Sequence, residues 1–90
     1  MAAPHLPARL MLDDAAATLA SLRQALALEQ GAQVCVAAGE LKQFDSSAVA
    51  VLLELRRDLQ AQGRTLTVSD WPPRLRDLVQ VYGVESLLGA

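Results

Sequence analysis

Three glycines of this chain each follow a stretch whose apolar residues repeat at helical spacing. Gly31, Gly63 and Gly83 stand where a left-handed residue commonly ends a helix. Strand-like runs lie between these stretches: ARLML at 8–12, QVCVAA at 33–38 and TLTVS at 65–69. Strand and helix therefore alternate three times, which predicts an α/β fold with helices packed on a small sheet. Because a helix separates each strand from the next, we expect the sheet to be largely parallel or mixed.

Each helical stretch predicts one buried stripe and a position for its cap. The stripes are Leu19, Leu22 and Leu26 before Gly31, then Ala48, Leu52, Leu55 and Leu59 before Gly63, and Leu75, Leu78, Val79 and Tyr82 before Gly83. The expected caps are Asp13 or Asp14 for the first helix and Asp70 for the third. Pro72 and Pro73 suit the first turn of that third helix, where a missing N–H costs little.

Size and composition limit both the domain organisation and the function. With 90 residues, 52% of them hydrophobic, the chain predicts a single domain over 1–90 with one core. The net charge of −2 and the three aromatic residues offer neither a basic stripe nor a stacking surface, so nucleic-acid binding is not expected. No apolar run has the length of a signal peptide or a membrane span, so we expect a cytoplasmic protein that reaches a membrane only through a partner.

The sequence offers little catalytic equipment. It has no G-x-S-x-G turn, no phosphate-binding glycine loop and no paired-histidine motif, so we expect no enzyme, no cofactor and no metal. His5 is the only histidine and lies in a terminal stretch that we expect to fray. Glu40 and Asp45 are the remaining candidates for a carboxylate pair. Cys35, the only cysteine, is predicted to be a small buried residue of the second strand.

The segment FDSSAVAVLLELRRDL, at 44–59, holds the main candidate site. Asp45, Ser46 and Ser47 precede an apolar run, so their side-chain oxygens are expected to cap the free N–H groups of a helix over 47–62. The same position suits a phosphoryl group on serine, because the helix dipole and the free N–H groups favour negative charge. Asp45 would oppose that added charge. Capping alone and partner recognition both remain open on this pattern.

A second clue lies on the helix that follows. Ala50, Leu53 and Arg57 point away from the predicted core stripe. A neighbouring helix would cover Leu53, or Leu53 would be an isolated surface residue of an ordinary kind. The alternative is a small ridge beside Ser46 that another protein contacts. Strand 33–38 would add a further docking mode, by strand addition, if it lay at a sheet edge.

The residues from 44 to 84, beginning FDSSAVAV and ending LVQVYGV, resemble the central and C-terminal part of a STAS domain, the fold of bacterial anti-sigma factor antagonists. The family pattern is a strand, then Asp-Ser/Thr-Ser/Gly-Gly opening a Leu-rich helix, then Gly, a short strand and a final helix. Residues 33–84 follow this order. The abbreviated start and the end at VYGVESLLGA are most similar to the short MlaB-type members.

This resemblance implies a non-catalytic subunit that binds and supports the cytoplasmic ATPase of an ABC transporter moving phospholipids between bacterial membranes. Asp45 matches the acid of the motif, Ser46 the hydroxyl residue that is phosphorylated in sigma-regulating relatives, and Ser47 the next small position. Ala48 replaces the usual glycine, and its methyl group is expected to hinder a kinase or partner that approaches the backbone closely.

Two other functions remain as alternatives. The first is an anti-sigma factor antagonist controlled by phosphorylation of Ser46, whose partner would be an anti-sigma factor kinase. The second is a hydrolase using Ser46 or Ser47, for which the sequence supplies no base to activate the hydroxyl.

Overall fold

The computed structural model describes residues 4–90; residues 1–3, which belong to the predicted domain, lie outside this part. Four α-helices and four short strands occur in this described part, all strand pairs being parallel. In chain order they are β1 (Arg9–Leu10), α1 (Ala15–Ala27), β2 (Gln33–Ala37), β3 (Gln43–Phe44), α2 (Ser46–Ala61), β4 (Thr65–Ser69), α3 (Pro73–Val81) and α4 (Glu85–Leu88), with a 3-10 turn at Leu12–Asp14 before α1. The α/β fold and its parallel pairing confirm the sequence prediction.

The strands form two pairs, β1 with β3 and β2 with β4. The N-terminal stretch links them, because the Leu6 N–H donates to the Ala37 carbonyl at 2.8 Å and the Ala37 N–H donates to Pro4 at 2.9 Å. Strand β2 therefore has β4 along one side and residues 4–6 against its end on the other. The prediction that this stretch frays around His5 is wrong, since its backbone is paired with a strand.

The core is one cluster that lies between the strands and the helices. Helix α2 supplies much of it, and its predicted stripe is confirmed, with all four residues no more than 2% exposed: Ala48, Leu52, Leu55 and Leu59. Helix α1 contributes Leu22 and Leu26, while Leu19 is half-buried. Gly63 and Gly83 have φ values of +72° and +68° just past α2 and α3, so they end those helices as predicted. None of the helices in residues 4–90 combines the length and apolarity that crossing a bilayer requires.

The short elements depart most from the sequence prediction. Strand 8–12 contracts to Arg9–Leu10, because the backbone turns into a 3-10 helix at Leu12. The segment GELKQFDSS, at 39–47, where no strand was predicted, contains β3, which forms by pairing Gln43 and Phe44 with β1. Helix α4 was not predicted.

One predicted helix cap and one predicted core residue are wrong, and a second predicted cap is right in its position but not in its hydrogen bond. Asp14 precedes α1, but its carboxylate accepts from the Met11 N–H at 3.0 Å rather than from the first turn of the helix. Asp70 adopts a left-handed turn conformation with φ +57°, and Pro72 holds the position before α3 with no side-chain cap. Tyr82 terminates α3 and is 53% exposed, because it lies past the last turn that faces the core.

The prediction of a buried Cys35 is also wrong. In β2 the side chains alternate, with Val34 and Val36 buried and Gln33 and Cys35 exposed. Thr65 and Thr67 of β4 are exposed as well. Parallel sheets are usually covered on both faces, but here β2 and β4 turn one face toward the core and leave small, mainly polar side chains on the other.

Candidate functional site: the start of helix α2

Asp45 fixes the start of α2. Its backbone is extended, with φ −126° and ψ −164°, and its Oδ1 accepts from the Ser47 N–H at 2.8 Å. Its Oδ2 accepts from the Leu12 N–H at 3.2 Å, which ties the turn before α1 to the same carboxylate. The predicted capping role of Asp45 is confirmed, and the helix begins at Ser46, one residue before the predicted start.

These hydrogen bonds also set the charge state of the cap. Donation by the Ser47 backbone N–H, supported by the Ser47 hydroxyl and by Leu12, holds the pKa of the Asp45 carboxyl below its ordinary value, against a smaller opposing effect of desolvation. The carboxylate therefore stays ionised at neutral pH and places a negative charge beside Ser46.

The two serines of the motif have different environments. Ser46 is exposed in the first turn of α2, whereas Ser47 is 8% exposed. Of the two hydroxyls, that of Ser46 is the one open to solvent and to another protein. Ala48 is fully buried, so its methyl group packs in the core instead of facing a partner. The expectation that this methyl hinders an approaching kinase is therefore wrong.

A groove runs beside Ser46. It has a volume of about 490 Å³ and lies between the start of α2 and the outer side of α3. Phe44, Asp45 and Ser46 form one wall, and α3 supplies most of the other, including Arg74, whose guanidinium carbon is 5.5 Å from the centroid of the Phe44 ring.

Exposed apolar side chains that were not among the predicted site residues lie at this groove or near it. Val81 is 80% exposed and Tyr82 is 53% exposed, and both line the groove. Leu12, whose N–H donates to Asp45, is 73% exposed. The YG sequence at 82–83 could have indicated that Tyr82 is exposed, since a tyrosine at the end of a helix just before a terminating glycine lies past the core-facing turns.

The remaining predicted site residues extend along α2 away from the groove. Ala50 and Arg57 are exposed, and a guanidinium nitrogen of Arg57 lies 3.7 Å from a carboxylate oxygen of Glu54 on the preceding turn. Leu53 is half-buried and packs against the core, so it is less available than the sequence suggested. Helical spacing places Ser46, Ala50, Leu53 and Arg57 on one side of α2.

The titratable side chains near this site are not gathered into one cluster. No group of three or more His, Cys, Asp or Glu side chains within residues 4–90 is placed to hold a metal ion. His5 Nε2 lies 3.1 Å from a carboxylate oxygen of Glu40, while the Asp45 carboxylate binds the N–H groups of Ser47 and Leu12. Glu40 and Asp45 thus have different partners.

Comparison with known proteins agrees with this architecture. A protein-family model described as "Mlab, STAS domain" matches residues 5–89, nearly the whole chain. No curated protein matches the sequence. STAS domains are generally non-catalytic and act in protein interaction or regulation. With Asp45 capping a Leu-rich α2 between parallel strands, and with the family model spanning these elements, the chain belongs to the STAS domain family, in its MlaB-type branch.

Proposed function

We propose that this STAS domain is a non-catalytic subunit that binds the ATPase of a phospholipid-moving ABC transporter and holds it in an assembled, active state. The proposal joins the MlaB-type family match to one structural observation. Exposed Val81 and Tyr82 line the groove at the capped start of α2, and the backbone of exposed Leu12 is hydrogen-bonded to that cap. Exposed aromatic and aliphatic residues around a concave site are typical of protein contact surfaces.

Binding by this surface would act on the ATPase by shifting its population. A subunit that binds the competent conformation more tightly than the others stabilises it by the difference in binding free energy, with no chemistry of its own. The domain would then be a cytoplasmic protein that reaches the membrane through the transporter.

The test begins with affinity purification from the native cells in mild detergent, followed by identification of the co-purifying chains by mass. We expect an ABC ATPase together with its membrane subunit. A soluble kinase-like anti-sigma factor in their place would contradict the transporter function.

A matched pair of serine variants then locates the contact. Ser46→Glu adds negative charge next to the ionised Asp45, so we expect it to weaken the complex roughly tenfold, measured by titration with the purified ATPase. Ser21→Glu makes the same change at an exposed position of α1, on a different groove, and should bind normally. Equal affinities for the two variants would place the contact elsewhere on the domain.

The alternative function, an anti-sigma factor antagonist controlled by phosphate on Ser46, rests on the exposure of that hydroxyl and the burial of the Ala48 methyl group. The Ser46 side chain stands in the first turn of α2, where the helix dipole favours a phosphate, while Asp45 opposes it. Intact mass of the protein from its own cells distinguishes the two functions, because the switch requires a fraction of molecules carrying one phosphate.

A further inference from the structure

Arg74 lies in the first turn of α3 and contacts the opposite wall of the groove beside Ser46. Its guanidinium carbon is 5.5 Å from the centroid of the Phe44 ring, which is within the range of a cation–π contact. Both residues line the groove, Arg74 from α3 and Phe44 from β3. The aromatic ring therefore holds this exposed cation in place at the groove.

The N–H groups of the Arg74 guanidinium are not used by the domain. Within residues 4–90 this guanidinium forms no hydrogen bond and no ion pair. By contrast, Arg23 binds Asp58 at 2.6 Å, and Arg64 donates to two backbone carbonyls. Arg74 thus offers a positioned set of donors that has no acceptor in the described part of the chain.

Apolar side chains follow Arg74 along the same side of α3. Leu78 and Tyr82 come four and eight positions after it, which places all three on one side of the helix. Leu78 is half-buried, and Val81 and Tyr82 are exposed. At 1.5 Å per residue, Tyr82 lies about 12 Å further along α3 than Arg74. The groove therefore has a cation at one end and apolar surface toward the other.

Two carboxylates also line the groove, and they differ in their hydrogen bonds. Both oxygens of Asp45 already accept backbone N–H groups, those of Ser47 and Leu12. Asp77 is exposed, and it forms no ion pair with Arg74 although the two are one turn apart on α3. An acidic side chain that approached Arg74 would therefore be opposed mainly by Asp77.

We propose that the ATPase segment docked in this groove carries an acidic side chain that binds Arg74, together with apolar side chains that cover Val81 and Tyr82. The inference rests on the proposed function and adds the chemistry of the partner segment. A guanidinium presents parallel N–H groups that match the two oxygens of a carboxylate. Because Phe44 already holds Arg74, less side-chain freedom is lost on binding. Arginine and tyrosine are among the residues that most often dominate the binding energy of an interface.

The dimensions of the groove limit the sequence of this segment. A span of about 12 Å separates the acid from the apolar residue by about eight positions in a helix, or about four in an extended chain. The same chemistry gives a reason for the expected effect of Ser46→Glu, because a carboxylate on that wall would compete for Arg74 and repel the acid of the partner.

Three variants of the full chain, each titrated with the purified ATPase, test the sign of the partner's charge. Arg74→Gln keeps a long polar side chain but removes the charge, and we expect it to weaken the complex roughly tenfold. Arg76→Gln is the matched control, since Arg76 is exposed on the same helix outside the groove, and it should change the affinity less than about twofold. Asp77→Asn removes the opposing carboxylate and should tighten binding roughly threefold.

The salt dependence of binding is the second measurement. Added salt screens the attraction between Arg74 and an acid, so the affinity of the wild-type domain should fall more steeply with ionic strength than that of Arg74→Gln. Circular dichroism confirms that each variant is folded.

Equal affinities for Arg74→Gln and Arg76→Gln would overturn the inference; the ATPase contact itself would stand if Tyr82→Ala still weakened the complex. Tighter binding by Arg74→Gln together with weaker binding by Asp77→Asn would show a basic partner segment and would also overturn it. If the wild-type domain does not bind the ATPase at all, the proposed function fails, and this inference fails with it.

Discussion

Helices α2 and α3 meet at the groove beside Ser46, but they differ in how they begin and in how many of their residues are buried. Helix α2 begins with a side-chain cap and buries residues on almost every turn, including two valines beyond its predicted stripe, Val49 and Val51. Helix α3 begins at a proline with no side-chain cap, buries only Leu75 and Val79, and leaves Val81 exposed at its end.

The two helices therefore differ in what determines their residues. The residues of α2 are specified by packing, because it contacts α1, α3, α4 and β4. The outer residues of α3 have no such role in this chain, so an apolar side chain there gains little from the fold itself. An exposed Val81 beside an exposed Tyr82 is consistent with contacts made outside the domain.

The largest effect is expected from shortening a buried side chain of α2. Leu52 is fully buried, and Leu52→Ala should lower the free energy of unfolding by about 2–5 kcal/mol, from lost apolar contact and the cavity left behind. Urea titration followed by circular dichroism measures the change. Half-buried Leu53 provides the control, since Leu53→Ala should cost distinctly less; equal losses would mean that the two sides of α2 are packed alike.

A change on α3 should affect binding and leave stability nearly unaltered. We expect Tyr82→Ala to change the free energy of unfolding by no more than about 0.5 kcal/mol and to weaken the proposed ATPase complex roughly tenfold. Leu28→Ala removes a side chain that is 85% exposed, on the groove beside α1, and should leave the complex intact. If Leu28→Ala weakens binding as much as Tyr82→Ala does, exposed apolar area alone accounts for the effect.

The smallest expected effect is a pH dependence of protein stability that comes from the Asp45 cap of α2. The pKa of Asp45 is lower in the folded protein than in the unfolded chain, so its stabilising contribution is present above the unfolded pKa and is lost as the pH falls through the folded pKa. Asn also caps helices but does not titrate. Between pH 7 and pH 3, a range chosen around the ordinary carboxyl pKa of about 3.9, the wild-type protein should lose more stability than Asp45→Asn, measured as the midpoint of thermal unfolding. Parallel curves for the two proteins would show that this carboxylate contributes nothing through its charge.

The predictable parts of the fold are those in which local pattern and packing agree. The stripe on α2 and the cap at Asp45 follow from helical spacing and from an acid before an apolar run, and both are present. Strand β3 was missed because two residues, Gln43 and Phe44, carry no periodicity; they become a strand only by pairing with β1, more than thirty positions earlier.

Only the polar residues of the candidate site could be predicted. Asp45 and Ser46 belong to a short sequence motif that is recognisable without knowledge of the fold. Val81 and Tyr82 come to the same groove through the packing of α3 against α2, which no short stretch of sequence encodes. The burial of Cys35 was predicted wrongly for a related reason. The alternation of side chains along β2 shows that Cys35 faces away from Val34 and Val36, but whether that face is covered depends on where the helices lie.

The N-terminal stretch that joins the two strand pairs has a consequence for the order of folding. Residues 5 and 9 are made early in synthesis, but their partners, residues 37 and 43, follow about thirty residues later. Their pairing therefore waits for chain that includes α1 and β2, and it closes long loops, which is slow on entropic grounds. Until those loops close, the side of β2 that residues 4–6 contact in the folded protein has no hydrogen-bonding partner. The chain therefore relies on its own first residues to pair with that side.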